Sequence, residues 1–167
     1  MNPTEYETNA SRSLLVYLTP LIATTWTVPD DSRFNADKAS SFIRVSATCE
    51  GETPTGFHPS TDGAATRAAF AEMVIVCECY FRETSAYEAR STDSAGTLAS
   101  QVRSALRAPL HIPILDYLSN PQTPSATEAQ LQFAYPATIA APPVIDGWQR
   151  RIVTTRAFWL VRTETTS

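Results

Sequence analysis

Ala69-Phe70-Ala71-Glu72-Met73-Val74-Ile75-Val76-Cys77-Glu78-Cys79-Tyr80-Phe81-Arg82 is the stretch on which the fold turns. Ala71, Met73, Ile75, Cys77, Cys79 and Phe81 fall on one face of an extended chain, and this period of two predicts a strand. Val74, Val76 and Tyr80 on the other face predict partial cover there as well. A strand of this kind must sit in a sheet whose apolar side is closed by other elements.

Upstream, Ser41 to Glu50 alternates in the same way, with Ile43, Val45, Ala47 and Cys49 against Arg44, Ser46 and Thr48, and reads as a half-buried partner strand. Between the two strands, Gly51 to Thr66 carries Gly51, Pro54, Gly56, Pro59 and Gly63, which predicts a long loop rather than a tight hairpin. The opening segment, Pro3 to Leu18, reads as an amphipathic helix capped by Asn2. Tyr6, Ala10, Leu14, Tyr17, Leu18 and Leu21 form its apolar stripe, and Glu7, Asn9, Arg12 and Ser13 lie mostly away from it. Pro20 bounds it, and Trp26 to Phe34 reads as a loop or a short extended piece.

Downstream, Thr92 to Arg107 predicts a second helix, with capping candidates Ser91, Thr92 and Asp93 and a stripe of Ala95, Leu98, Ala99, Val102, Ala105 and Leu106. Leu110 to Leu118 reads as a connection with a short helical turn near Asp116. Ser119 to Gly147 reads as a Pro-rich excursion around a short strand at Gln130 to Tyr135. Trp148 to Thr163 closes the chain as a strand whose last half is apolar on both faces, which predicts an interior position. Two helices, several strands and no repeat amount to one α+β domain.

The chain has 167 residues with 13 Lys+Arg and 17 Asp+Glu, a formal charge of −4, and no basic cluster, so a sequence-specific nucleic-acid surface is not expected. No apolar run is long enough to span a bilayer, and Met1 is followed by Asn2, Pro3 and Thr4 rather than a signal segment, so the expectation is a soluble, cytosolically made protein without a membrane partner. Cys49, Cys77 and Cys79 are odd in number and read as buried, inert thiols. His58 and His111 stand in loop-like sequence away from them, so no metal set forms. The five glycines make neither GxGxxG nor GxxxxGK, and HExxH, CxxC and GxSxG are absent. Glu50 and Glu52 read as a solvated strand end. The expectation is a protein that is not an enzyme and uses no cofactor.

The opening helix with Ser13-Leu14-Leu15-Val16-Tyr17-Leu18, the strands Phe42 to Glu50 and Ala69 to Arg82, the helix Thr97 to Leu106 with Leu98, Val102 and Leu106, and the closing strand Arg151 to Val161 together resemble the tail terminator (tail completion) proteins of long-tailed bacteriophages. The resemblance lies in the order of elements and covers most of the chain. It implies a twisted, mainly antiparallel sheet with two packed helices. It also implies a structural virion protein whose copies close into a homohexameric ring at the tail-neck junction, capping the tail tube and joining it to the head connector, with DNA passing through the lumen. On that reading the partners are further copies, the tail tube protein and a head-completion or connector protein. Phe57 and His58, near the tip of the 51–66 loop, are the candidate contacts, and Arg67, Arg82, Arg90 and Arg103 are candidates for intersubunit ion pairs. The excursion at 119–147 would be an arm lying across a neighbour, and the strand Ala69 to Arg82 would pair with a neighbour if it sat at an edge. Another head-tail adaptor or neck protein, or a small monomeric module whose sheet cups a ligand, are the alternative readings.

Overall fold

The computed structural model describes residues 3–29, 31–59, 65–83, 94–107, 109 and 111–165. The elements run α1 (Pro3–Leu18), β1 (Thr25–Thr27), a 3-10 turn (Ala36–Lys38), β2 (Ser41–Pro59), β3 (Ala65–Arg82), α2 (Ser94–Arg107), β4 (Ile112–Asp116), β5 (Ser125–Ala140) and β6 (Trp148–Thr165). The strands form one six-stranded sheet in the order β1-β2-β3-β6-β5-β4. Only β1 and β2 run parallel; every other neighbouring pair is antiparallel. The class is α+β.

The alternation in β3 holds from Ala71 to Tyr80: Ala71, Met73, Ile75, Cys77 and Cys79 are buried, while Glu72, Val74, Val76, Glu78 and Tyr80 are half-buried; Phe81, expected on the buried face, is half-buried as well. Both helices cover the same face, because their buried residues join those strand residues in a single cluster. Tyr6, Ala10, Leu14 and Leu18 come from α1, and Ala99, Val102 and Leu106 from α2. Trp159 of β6 is the largest side chain in that cluster, and Tyr6 meets its ring edge-on at 4.6 Å between centroids. The Tyr17 hydroxyl donates to the Ala105 carbonyl at 3.3 Å and ties α1 to α2.

α1 touches β4, the last strand of the order, and on the other side the edge of β2 that runs on past the short β1. Ser11 Oγ accepts the Ala47 amide at 3.0 Å and Glu7 Oε1 accepts the Cys49 amide at 3.0 Å, both on β2. On its other flank, Ser13 Oγ accepts the Leu115 amide at 2.9 Å and Asn9 Oδ1 accepts the Tyr117 amide at 2.9 Å, on and just after β4. At 100° per residue the rows 7/11 and 9/13 lie about 80° to either side of the apolar row 6/10/14. A sheet whose two edges meet one helix must curl around it, and α1 fills the seam that a closing strand would occupy in a barrel. Asn9 and Ser13, expected away from the stripe, are therefore buried. Leu21, expected on the stripe, lies past the helix end and is 54% exposed, while Ile22 takes the buried place.

Several loop expectations give way to strand. Most of the 51–66 loop belongs to β2 and β3, which pair from Ser41 opposite Phe81 out to Pro59 opposite Ala65, with irregularities between Cys49 and Gly51 and between Pro54 and Gly56. Bulges absorb the extra residues, and prolines are tolerated on an edge strand that need not donate there. Within that stretch, 60–64 lie outside the described residues. The 119–147 excursion is largely β5, with Pro136 inside the irregularity between Ala134 and Thr138. The connection 110–118 contains β4 despite Pro113, for β4 is the last strand of the order. β3 lies between β2 and β6, so it offers no edge to a neighbour. β6 is interior, between β3 and β5, only as far as Trp159; its last residues, 160–165, pair with β3 alone, and Phe158 on the outer face is exposed, so the interior position expected for its apolar last half holds only in part. Ile145 and Trp148 exchange both backbone hydrogen bonds around Asp146 (φ 51°) and Gly147 (φ 73°), the left-handed pair of a two-residue hairpin turn. The capping candidates Asn2, Ser91, Thr92 and Asp93 lie outside the described residues.

Replacing Ser13 or Asn9 with Ala leaves a strand amide without its acceptor at a buried seam, so each variant should lose about 1–3 kcal/mol. Ser100→Ala, on the exposed side of α2, should stay within about 0.5 kcal/mol. Urea unfolding with an unchanged denaturant slope is the measurement; seam variants as stable as Ser100→Ala would exclude the closing role of α1.

Candidate functional site

The face of the sheet turned away from the helices carries the even-numbered residues of β3 and β6. At one end Phe42 stacks on Tyr80 with 4.4 Å between ring centroids, Trp148 stands edge-on to Phe42 at 5.3 Å, and Phe34 leans on Phe42 at 4.8 Å. Arg82 lies over the Trp148 ring at 4.7 Å and donates through Nη2 to the Ala36 carbonyl at 3.2 Å. Arg150 lies over Tyr80 at 5.6 Å and is hydrogen-bonded to Glu78, an ion pair that raises its own already high pKa. Burial and the Glu78 charge push the Tyr80 phenol up, against the opposing pull of Arg150 and Arg44.

Farther along the same face stand Ser46, Val76 and Thr154, then Thr48, Val74 and Arg156, matched across β2, β3 and β6 by the strand register. Arg156 reaches Glu72 at 3.2 Å and Glu50 at 3.5 Å. Glu50 thus belongs to an exposed ion-pair network, one that contributes little stability on its own. Beyond it the sheet continues as an arm of three strands: 52–59 of β2, 65–70 of β3 and 160–165 of β6. The pairing of β5 with β6 begins only at Leu131 opposite Trp159, so the last residues of β6 have left β5 behind. The arm is about 20 Å long.

Phe57, His58 and Arg67 come together at its far end, Phe57 opposite Arg67 and His58 opposite Thr66; of these three only the backbone is described. His58 stands in a strand and not in a loop. Arg82 closes the opposite end of β3, up to about 50 Å away along the strand, where its guanidinium lies over Trp148 and donates to Ala36. Arg103 is half-buried on α2, in the helical layer and apart from both groups. Arg90 lies outside the described residues. Among the described residues, three of the five candidates, Phe57, His58 and Arg67, form one group, and Arg82 and Arg103 stand apart from it.

Two shallow recesses flank α1. One, of about 360 Å³, is lined by Arg12, Val16, Val28, Asp31, Arg33 and Tyr117, and Arg12 lies 5.7 Å from the Tyr117 ring centre. The other, of about 530 Å³ between α1 and α2, is lined by Tyr17, Leu21, Ile22, Thr97, Gln101 and Ala105 among others and holds no charge. Among the described residues no three His, Cys, Asp or Glu side chains stand close enough to hold a metal ion, and no helix is long and apolar enough to cross a membrane. Burial pushes the Cys77 thiol far above the ordinary range and the Cys79 thiol up to about 12. Set against family models and curated proteins, the chain matches no family and no curated protein significantly.

Cys77 and Cys79 should resist a thiol reagent at pH 8 in the native protein and react only on unfolding, while half-buried Cys49 reacts first; a count of labelled thiols by mass spectrometry decides it. Arg82→Met removes the cation over Trp148 and the bond to Ala36, so it should lower stability by about 1–2 kcal/mol and change Trp emission. An unaltered emission spectrum and melting temperature would show that this end of the sheet does not depend on Arg82.

Proposed function

We propose that this chain is a structural virion protein of the tail terminator kind, a subunit that assembles into a six-membered ring, caps a tail tube and joins it to a head connector. One observation carries the reading: the body closes its own edges through α1, yet the sheet runs on past it as a three-stranded arm. A sheet that satisfies its edges within the body has no folding reason to extend three strands beyond it, whereas a subunit that must reach a neighbour or a tube has one. A ring of identical copies needs heterologous contacts, in which one surface meets a different one, and an arm set apart from a closed body supplies two such surfaces. Phe57, His58 and Arg67 at the far end of the arm are the contacts assigned to this role.

The ligand-cup alternative is disfavoured by the packing: where a cup would open, Tyr6, Leu14, Met73 and Trp159 fill the concave face. The neck-protein alternative makes a different demand on assembly, because loss of a terminator leaves tubes of uncontrolled length and loss of a neck protein does not.

Light scattering should give a mass six times the 18.3 kDa chain, alone or on added tail tubes, with rings visible in negative stain. A strict monomer under both conditions would overturn the proposal. Replacing 54–69 with a two-residue turn that joins Thr53 to Phe70 opposite it should preserve the circular dichroism of the body and its protected Cys77 and Cys79 while abolishing tail joining; a shortened chain that still joins tails would remove the arm from the function.

A further inference from the structure

The two long edges of the arm are unlike. On β2, the amides of Ala47 and Cys49 point outward to α1, and following the register through both irregularities puts Glu52, Pro54, Phe57 and Pro59 in the outward class farther along. Two of these four lack an N–H, so this edge is broken by prolines and bulges, the devices that keep a strand from pairing with strangers. On β6, odd-numbered residues bond to β3, which leaves Leu160, Arg162 and Glu164 with both backbone groups directed outward. None is proline, the register with β3 is unbroken, and among the described residues no strand lies along this side beyond Leu131 opposite Trp159.

We propose that the outer edge of β6 over residues 160–165 is a pairing edge, and that its occupant is the same edge of a second copy, run antiparallel about a two-fold axis centred on Thr163. The charge pattern selects that copy and that register. Centred on Thr163, the pairing sets Arg162 opposite Glu164 of the second copy, and Glu164 opposite its Arg162, with threonine opposite threonine between them. Centring on Arg162 or on Glu164 sets like charges opposite each other, and centring on Val161 leaves half of the segment unpaired. The β2 edge is the poorer occupant, because it runs parallel to β6 in the next copy and Pro54 withholds a bond from that ladder. The contact is small, about four main-chain hydrogen bonds and two ion pairs, and so is a weak, salt-sensitive association. It does not depend on the ring.

The test is directed cross-linking in a Cys49→Ser background, where the remaining native thiols are buried. Thr163 faces itself at a non-hydrogen-bonded site, where side chains stand close enough for a disulfide. Thr163→Cys should therefore give a covalent dimer under mild oxidation, and Val161→Cys and Thr165→Cys should give at most a tenth of its yield. Arg162→Glu or Glu164→Arg added to Thr163→Cys should cut the yield about tenfold, and both together should restore it, with circular dichroism showing each variant folded. No dimer from Thr163→Cys, equal yields at all three positions, or a double variant that fails to recover would each overturn the proposal. Rings seen by negative stain without the cross-link would leave the terminator reading standing and remove this one, and the cross-link without rings would do the reverse.

Discussion

The structure depends on a helix with three parallel rows of side chains at i, i+4 spacing. Tyr6, Ala10 and Leu14 enter the core, Glu7 and Ser11 take the amides of β2, and Asn9 and Ser13 take those of β4 and its exit. A buried amide without an acceptor costs more than an ordinary hydrogen bond contributes, so the rows on the two flanks fix where the sheet edges end up. The curl of the sheet, the burial of Trp159 beneath α1 and the closure of the body all follow from holding both edges against one cylinder.

Closure of the body gives the rest of the sheet its meaning. Strands β2, β3 and β6 run on past the point where α1 and β5 accompany them, and the extension is built without the protection that α1 provides. Its β2 side carries prolines and bulges, and its β6 side carries none. The outer face between arm and aromatic cluster is a field of small residues, Ser46, Thr48, Val74, Val76 and Thr154, bounded by the Glu78–Arg150 and Glu72–Arg156 pairs. Charge on this face is settled mostly within the chain.

The candidate site was only partly legible. Phe57 and His58 stand out in the sequence as an aromatic and a histidine in a polar, breaker-rich stretch, and their grouping with Arg67 at the end of the arm follows from a register no local pattern announces. Gly51, Pro54, Gly56 and Pro59 signal a loop by composition, yet a strand edge tolerates prolines whose nitrogens face outward and bulges absorb the surplus residues. The stacking of Arg82 on Trp148 and its bond to Ala36 leave no local mark in the sequence, because these partners are 66 and 46 residues away. Asp146-Gly147, at the margin of the Pro-rich stretch, is a readable signal for the turn into β6, a dipeptide suited to two left-handed residues.

By itself the sequence determined what periodicity can encode: two helices with apolar stripes, a β3 buried on one face, a closing strand β6, and the thiols of Cys77 and Cys79 sunk in the core, whereas Cys49, expected buried with them, is half-buried. These are local consequences of side chains recurring at the period of the backbone that carries them. The tertiary structure alone decided that Asn9 and Ser13 face inward, that 51–59 belong to a strand, that the strand read at 130–135 runs from 125 to 140, and that three strands outrun the body. Each of these depends on a backbone donor or acceptor many residues distant, and a hydrogen bond between remote positions leaves no period in the chain.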